Sequence, residues 1–325
     1  MRVVIADQHG GPEVLRVTQR DTPDPGPGQL LVEVAAAGVN FADIYARQGI
    51  PPYAGQVPFV PGSEGAGVVT AAGPGAKGFG PGDRVAWTGL PGCYAEQVVI
   101  PADRAVAVPD GMDLETAAAI MLQGMTAHYL VTDAYPVAAG DPVVVHAAAG
   151  GVGLLLTQMV KMRGGVVIAT TSTPQKAELA EGAGADYVAG YDDFGAVARE
   201  VTGGEGAAVV YDGIGLATFD DSLAALRRRG YLVLYGAASG PVPPLDPQRL
   251  AAGGSLFLTR PTLIHYIVTR EELLSRADDL FRWVEQGTLT VRIGGRYPLD
   301  QAARAHEDLA ARRTTGKLVL LPGDR

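Results

Sequence analysis

Hydrophobic positions in the middle of the chain alternate between short β-rich runs and amphipathic stretches. Val143 to Val145 are three consecutive β-branched residues, the pattern of a strand buried on both faces. The small residues Ala147 to Gly153 then allow a sharp turn, and Leu154 to Arg163 has helical spacing. The alternation continues with strands at Val166 to Thr171, Tyr187 to Val188, Val209 to Asp212, Tyr231 to Tyr235 and Ser255 to Leu258. Helices are predicted between them at Pro174 to Glu181, Phe194 to Val201 and Leu216 to Arg228. Strands regularly separated by helices predict an α/β fold with a doubly wound, six-stranded parallel sheet.

The first third of the chain reads differently. Short alternating runs at Leu30 to Ala37, Gly65 to Thr70, Arg84 to Trp87 and Tyr94 to Ile100 are set off by turns such as Pro25-Gly26-Pro27-Gly28 and Gly80-Pro81-Gly82-Asp83. This predicts a mostly antiparallel β domain. The pattern switches near Leu122, where Gln123 to Tyr129 is expected to open a helix. It switches again after Leu258: Leu273, Leu274, Ala277, Leu280, Phe281 and Val284 give Glu271 to Gln286 one apolar face. A helix at Gln301 to Arg312 and a strand at Lys317 to Leu321 follow.

Composition narrows the function. No apolar run reaches membrane-spanning length, and Met1 to Ala6 enters a strand-like segment without a basic start, so a cytoplasmic protein is expected. One cysteine, Cys93, excludes an internal disulfide and every multi-cysteine metal site. A net charge of −9 argues against a general nucleic-acid binder. The cluster Arg227-Arg228-Arg229 is expected to be a solvated helix C-terminus.

The turn after Val145 contains Ala148-x-Gly150-x-x-Gly153, a dinucleotide fingerprint with alanine for its first glycine. A strand, a turn of small residues and a helix start bring free N–H groups and a positive helix end to one point, which attracts a phosphate. Ala148, Gly150, Gly151, Val152 and Gly153 are therefore assigned to a dinucleotide. An NAD site normally carries a carboxylate at the end of the second strand. Here that strand runs into Thr170-Thr171-Ser172, and Lys176 follows. A hydroxyl and an ammonium suit a 2′-phosphate, so Ser172 and Lys176 point to NADPH. The alternative is that Thr173-Pro174 is only an N-cap pair and Lys176 a solvated first-turn residue.

Several segments in order, Gly38 to Tyr45, Pro61 to Gly67, Pro81 to Val85, Gln123 to Ala127, His146 to Gly153 and Thr314 to Lys317, resemble the medium-chain dehydrogenase/reductase superfamily. Within it, the chain is similar to the zinc-independent, zeta-crystallin-like quinone oxidoreductases. The resemblance implies a GroES-like catalytic domain, 1–122 and 260–325, interrupted by a Rossmann domain, 123–259. It implies further NADPH contacts from Thr126, Tyr191, Gly213, Ala238, Ser239 and Arg312. Asn40 and Tyr45 would orient a carbonyl and Asp43 would position them, with Tyr53 in a substrate loop. The residues themselves equally allow Asn40 as a helix N-cap with Asp43 in the first turn. Zinc relatives have Gly-His-Glu where Gly62-Ser63-Glu64 stands, and a cysteine near Asn40. With both ligands missing, no metal is expected.

The implied activity is NADPH-dependent reduction of a quinone or similar conjugated carbonyl by electron or hydride transfer. Alternatives are an alkenal or enone double-bond reductase and a non-catalytic NADPH- and RNA-binding protein. A homodimer or homotetramer is expected, since the edge at Ser255 to Leu258 suits pairing with a copy of itself.

Overall fold

A computed structural model describes residues 1–323 of the 325. Met1–Leu122 together with the chain from Ile267 forms one compact unit, and Gln123–Tyr266 forms the other. The last two positions of the expected 260–325 segment lie outside the described residues.

The first unit opens with a hairpin of β1 (Arg2–Ala6) and β2 (Leu15–Gln19). The long strand β3 (Gln29–Val39) follows, then α1 (Phe41–Gln48), β4 (Glu64–Ala72), β5 (Arg84–Thr88), β6 (Gln97–Pro101) and β7 (Val106–Ala107). All four strands expected in this stretch are present, with β6 starting at Gln97 because Tyr94 and Ala95 bond instead to β1. Helix α2 spans Leu114–Tyr129 without a break, rather than opening at Gln123. Ala117 to Met121 are all fully buried, so no polar stripe marks its earlier turns.

The second unit is built on β8 (Pro142–Val145), α3 (Gly151–Met162), β9 (Val166–Thr170), α4 (Pro174–Gly182), β10 (Tyr187–Ala189), α5 (Phe194–Val201), β11 (Ala207–Asp212), α6 (Phe219–Ala224), β12 (Leu226–Leu234), α7 (Gln248–Ala252) and β13 (Phe257–Thr259). Its six strands are parallel in the order β10-β9-β8-β11-β12-β13, the doubly wound Rossmann arrangement. Val143 to Val145 and Val209 to Tyr211 have no exposure in the centre of the sheet. The expected helix Leu216 to Arg228 is cut to six residues. Ala207 N–H already bonds to Ala225 C=O at 2.9 Å, drawing the chain into β12. Arg227 to Arg229 therefore lie on a strand and not at a helix end, and Arg227 reaches Asp141 at 3.4 Å.

The chain returns to the first unit through α8 (Arg270–Glu285), β14 (Ile293–Pro298), α9 (Ala302–Ala310) and β15 (Lys317–Leu321). Strand β15 pairs with β3 in a seven-stranded sheet whose order is β14-β15-β3-β4-β5-β7, with β6 off this path and also paired to β3. Among the described residues, only β14 and β15 run parallel in this GroES-like sheet. Trp87, Tyr94 and Ile100 fill its core.

Candidate active site

In the second unit, the loops after β8, β9, β10, β11 and β12 all leave the carboxyl edge of one parallel sheet, where such folds bind ligands. Gly150 is the N-cap of α3, with no side chain capping the helix. The first helical bond runs from Leu154 N–H to Gly150 C=O, so the N–H groups of Gly151, Val152 and Gly153 have no intrahelical acceptor. Ala148 is fully buried and bonds to Thr170 C=O, fastening the turn to β9. A Cβ on Gly153 would collide with Ala147 C=O and lie 2.7 Å from Ala148 Cα. Gly153 thus lets the helix sit directly on the strand. At Gly151 a Cβ would strike the Gln123 side chain, whose Oε1 is buried without a hydrogen-bond partner.

At the end of β9, Lys176 Nζ donates to Ser172 Oγ at 3.3 Å. Thr173 is the N-cap of α4 and accepts from Lys176 N–H at 3.3 Å, with Pro174 in the first turn. The two readings of this segment are compatible, because capping uses the lysine's backbone and leaves its ammonium beside Ser172. Tyr191 follows β10, the neighbouring strand, with its ring 5.9 Å from that of His146. An uncapped helix end, a glycine-lined turn and a hydroxyl beside an ammonium are the donor set a phosphorylated dinucleotide requires.

The loops after β11 and β12 are zipped together. Ala238 N–H bonds to Gly213 C=O at 3.1 Å and Ser239 N–H to Ile214 C=O at 2.8 Å. The Ser239 hydroxyl donates to Ile214 C=O and accepts from Ala217 N–H, so it ties loops rather than standing out from them. Below them, Asp212 accepts from Thr218 and Ser222 and from two backbone N–H groups. Ser222 thus spends its proton on Asp212 and accepts from His146 Nε2–H at 2.9 Å, leaving Nδ1 to accept from Thr170. Burial holds His146 neutral, pushing it down to about 4. Thr126 is 7% exposed and sits in the last turn of α2, not at a helix start.

In the first unit, Asn40 is the N-cap of α1, and the Asp43 carboxylate accepts its backbone N–H at 2.9 Å. The Asn40 side chain turns to Glu64 and Lys317: Nδ2 donates to Glu64 Oε1 at 2.7 Å and Oδ1 accepts from Lys317 Nζ at 2.8 Å. Lys317 also bonds to Glu64, and both are fully buried. Asp43 accepts from Ser63 at 3.3 Å and from Tyr94 at 3.2 Å. Arginine only donates, so Arg47 Nη1 donates to His306 Nδ1 at 3.2 Å. His306 Nε2–H then donates to Tyr94 Oη at 3.0 Å, and every donor in the chain points toward Asp43. Burial pushes Asp43 up to about 6 against the lowering effect of the Asn40 N–H and Lys317. It pushes His306 down to about 3, and Arg47 adds to that shift. Tyr45 is half-buried between the rings of Phe41 and Tyr53, at 6.2 and 5.3 Å. Arg312 is an exposed residue of this unit with a positive φ of 56°, just after α9.

Asn40, Asp43, Tyr45 and Tyr53 therefore gather around α1, and Gly150 to Gly153, Ser172, Lys176, Tyr191, Gly213, Ala238 and Ser239 along one sheet edge. Sequence reasoning missed Glu64, Tyr94, His306, Arg47 and Lys317. The signal available was charge in apolar surroundings: Lys317 opens the run Leu318 to Leu321, and Glu64 stands among glycines and alanines. Among the described residues, no group of three or more His, Cys, Asp or Glu side chains is disposed to hold a metal ion.

Residues 26–110 match the alcohol dehydrogenase GroES-like domain, and residues 183–320 match the zinc-binding dehydrogenase domain. The chain is 45% identical over 317 residues to a quinone oxidoreductase of Pseudomonas aeruginosa, covering 97% of each. It is 42% identical to a 2-haloacrylate reductase of a Burkholderia species, covering 98% of each. The crystal structure of Escherichia coli quinone oxidoreductase complexed with NADPH superposes with a TM-score of 0.96 at 39% identity, over 99% of this chain and 100% of that one. Sequence, fold and relatives agree that this chain belongs to the zeta-crystallin-like quinone oxidoreductase family of the medium-chain dehydrogenase/reductase superfamily.

Proposed function

We propose that the chain is an NADPH:quinone oxidoreductase. The observation that carries this reading is the carboxyl edge of the second unit, where an uncapped helix start lies beside a strand whose end is followed by Ser172 and, in the first turn of α4, Lys176, in place of a carboxylate. The full-length similarity to quinone oxidoreductases supports it.

Gly150 to Gly153 would hold the diphosphate through backbone N–H groups. Ser172 and Lys176, with Tyr191, would hold the 2′-phosphate. Gly213, Ala238 and Ser239 would border the nicotinamide half, and Thr126 would contact the cofactor as well. Ser239 would contribute there through its backbone, because its hydroxyl is engaged. When bound, NADPH supplies reducing equivalents from C4 of its nicotinamide. Asn40 then stabilises charge developing on the acceptor oxygen by donating an N–H, Tyr45 and Tyr53 present an aromatic wall, and Asp43 holds the start of α1. The reaction runs without a metal, since Asn40 and Ser63 occupy the ligand positions of zinc relatives and are bonded to other side chains. The protein works in the cytoplasm as a homodimer paired along β13, where Phe257 is exposed.

The similarity to 2-haloacrylate reductase favours a second reading, reduction of a conjugated C=C bond. A panel of 1,4-benzoquinone, 9,10-phenanthrenequinone, an alkenal and 2-chloroacrylate, each with NADPH and NADH, tests both. The proposal expects the highest kcat/KM for a quinone with NADPH. A higher value for an alkenal or the haloacrylate establishes the second reading instead.

A further inference from the structure

The buried pair Lys317 and Glu64 dictates which end of the Asn40 amide remains for a ligand. The sheet brings the three together: Leu318 on β15 faces Val39 at the end of β3, and Gly65 on β4 faces Ala37. Lys317 and Glu64 therefore flank Asn40 on opposite sides, and a Cβ on Gly38 would collide with the Glu64 carboxylate. The carboxylate is fixed at its other oxygen as well, where Oε2 accepts from Leu122 N–H at 2.6 Å.

The two charges impose one orientation. An ammonium only donates, so the amide oxygen must face Lys317; an ionised carboxylate only accepts, so the amide nitrogen must face Glu64. With Oδ1 taken by Lys317 and one Nδ2 proton by Glu64, Asn40 has one N–H left to offer. A flipped amide would place oxygen against carboxylate and nitrogen against ammonium in a dry site, where both contacts repel.

We propose that Lys317 and Glu64 are positioning residues that hold Asn40 as a donor toward the substrate, restricting the site to acceptors whose oxygen takes up negative charge. This rests on the reading of Asn40 as a substrate contact. Neither residue touches the substrate; both act through the amide.

Lys317→Met alone leaves Glu64 buried and unpaired and risks misfolding. The paired variant Lys317→Met/Glu64→Gln removes both charges at similar volume. Against 9,10-phenanthrenequinone with NADPH, its kcat is expected to fall roughly 100-fold, the scale of losing one preorganised donor, with KM and NADPH Kd within about threefold. Adding Asn40→Ala to the pair is then expected to cost nothing more than Asn40→Ala alone, because residues acting through a shared group are non-additive. A purely structural pair would lower the thermal midpoint and give additive losses. The proposal is overturned if the paired variant keeps wild-type kcat while Asn40→Ala is impaired, or if the triple variant loses about tenfold more than Asn40→Ala. If Asn40→Ala itself keeps wild-type kcat, the substrate reading of Asn40 falls, and this proposal with it.

Discussion

Replacing Asp43 by asparagine isolates the cost of burying one charge. Asp43 is 3% exposed and titrates at about 6 in the folded protein against 3.8 for an ordinary aspartate, chiefly because burial removes its hydration. The folded state therefore binds a proton between these two values that the unfolded chain does not. Stability falls as pH rises through that window, and the full cost is present above about pH 6. A shift of this size is worth about 3 kcal/mol. The substituted side chain mimics the protonated acid: its amide oxygen accepts from Asn40 N–H and Tyr94, while its amide nitrogen donates to Ser63, whose hydroxyl turns to accept. Asp43→Asn is thus expected to be about 3 kcal/mol more stable than wild type at pH 7.5 and equal to it below about pH 4. Urea unfolding followed by tryptophan fluorescence at pH 7.5, 6, 5 and 4 measures the difference, with buried Trp87 reporting from the same unit. A variant less stable by the same amount at every pH would show that the carboxylate's hydrogen bonds, and not its desolvation, dominate.

Other outcomes follow from the same geometry. His146 and His306 titrate at about 4 and about 3, below the ordinary 6.5, so the stability tied to each is intact above pH 6.5 and is lost as pH falls. At pH 4 each contributes about 3 kcal/mol of acid destabilisation, and thermal melts of His306→Gln should show a flatter decline between pH 6.5 and 4 than wild type. Gly153→Ala, which meets backbone on two sides, should cost about 1 to 3 kcal/mol and abolish NADPH binding in a fluorescence titration. Gly151→Ala meets only the movable end of Gln123 and should bind within about tenfold of wild type. Lys176→Ala should weaken NADPH about 10- to 150-fold by calorimetry and leave NADH unchanged. Equal losses for both would remove Lys176 from the 2′-phosphate.

Where local pattern and fold agree, the chain could be read directly. Val143 to Val145, Phe194 to Val201 and Lys317 to Leu321 carry spacing that one neighbour on either side does not alter, and their bounds were close to those observed. Reading failed where tertiary contact overrode spacing. Leu216 to Arg228 has helical periodicity, yet Ala207 N–H takes the C=O of Ala225 at the helix end and the chain continues from Leu226 as β12. Ala117 to Met121 of α2 are apolar and buried on every side, so only the last turns of the helix could be read from spacing. Around α1, Asn40, Asp43 and Tyr45 were legible together because the family resemblance that points to them rests on one local motif, Gly38 to Tyr45. The residues that govern them were not: Lys317 stands 253 positions from Glu64, and His306 stands 212 from Tyr94. Strand pairing between β15, β3 and β4 makes Lys317 and Glu64 neighbours, and His306 reaches Tyr94 from helix α9. Ser239 was legible as a loop residue, but its hydroxyl's bond to Ile214 depends on two loops meeting.

The central claim is that the edge bearing Ser172 and Lys176 receives the 2′-phosphate of NADPH. Isothermal titration of the purified chain with NADPH and, separately, NADH tests it most directly. The account predicts saturable binding of NADPH, at least about tenfold tighter than NADH, with the difference shrinking as salt rises. No heat with either nucleotide, or equal affinity for both, would contradict it.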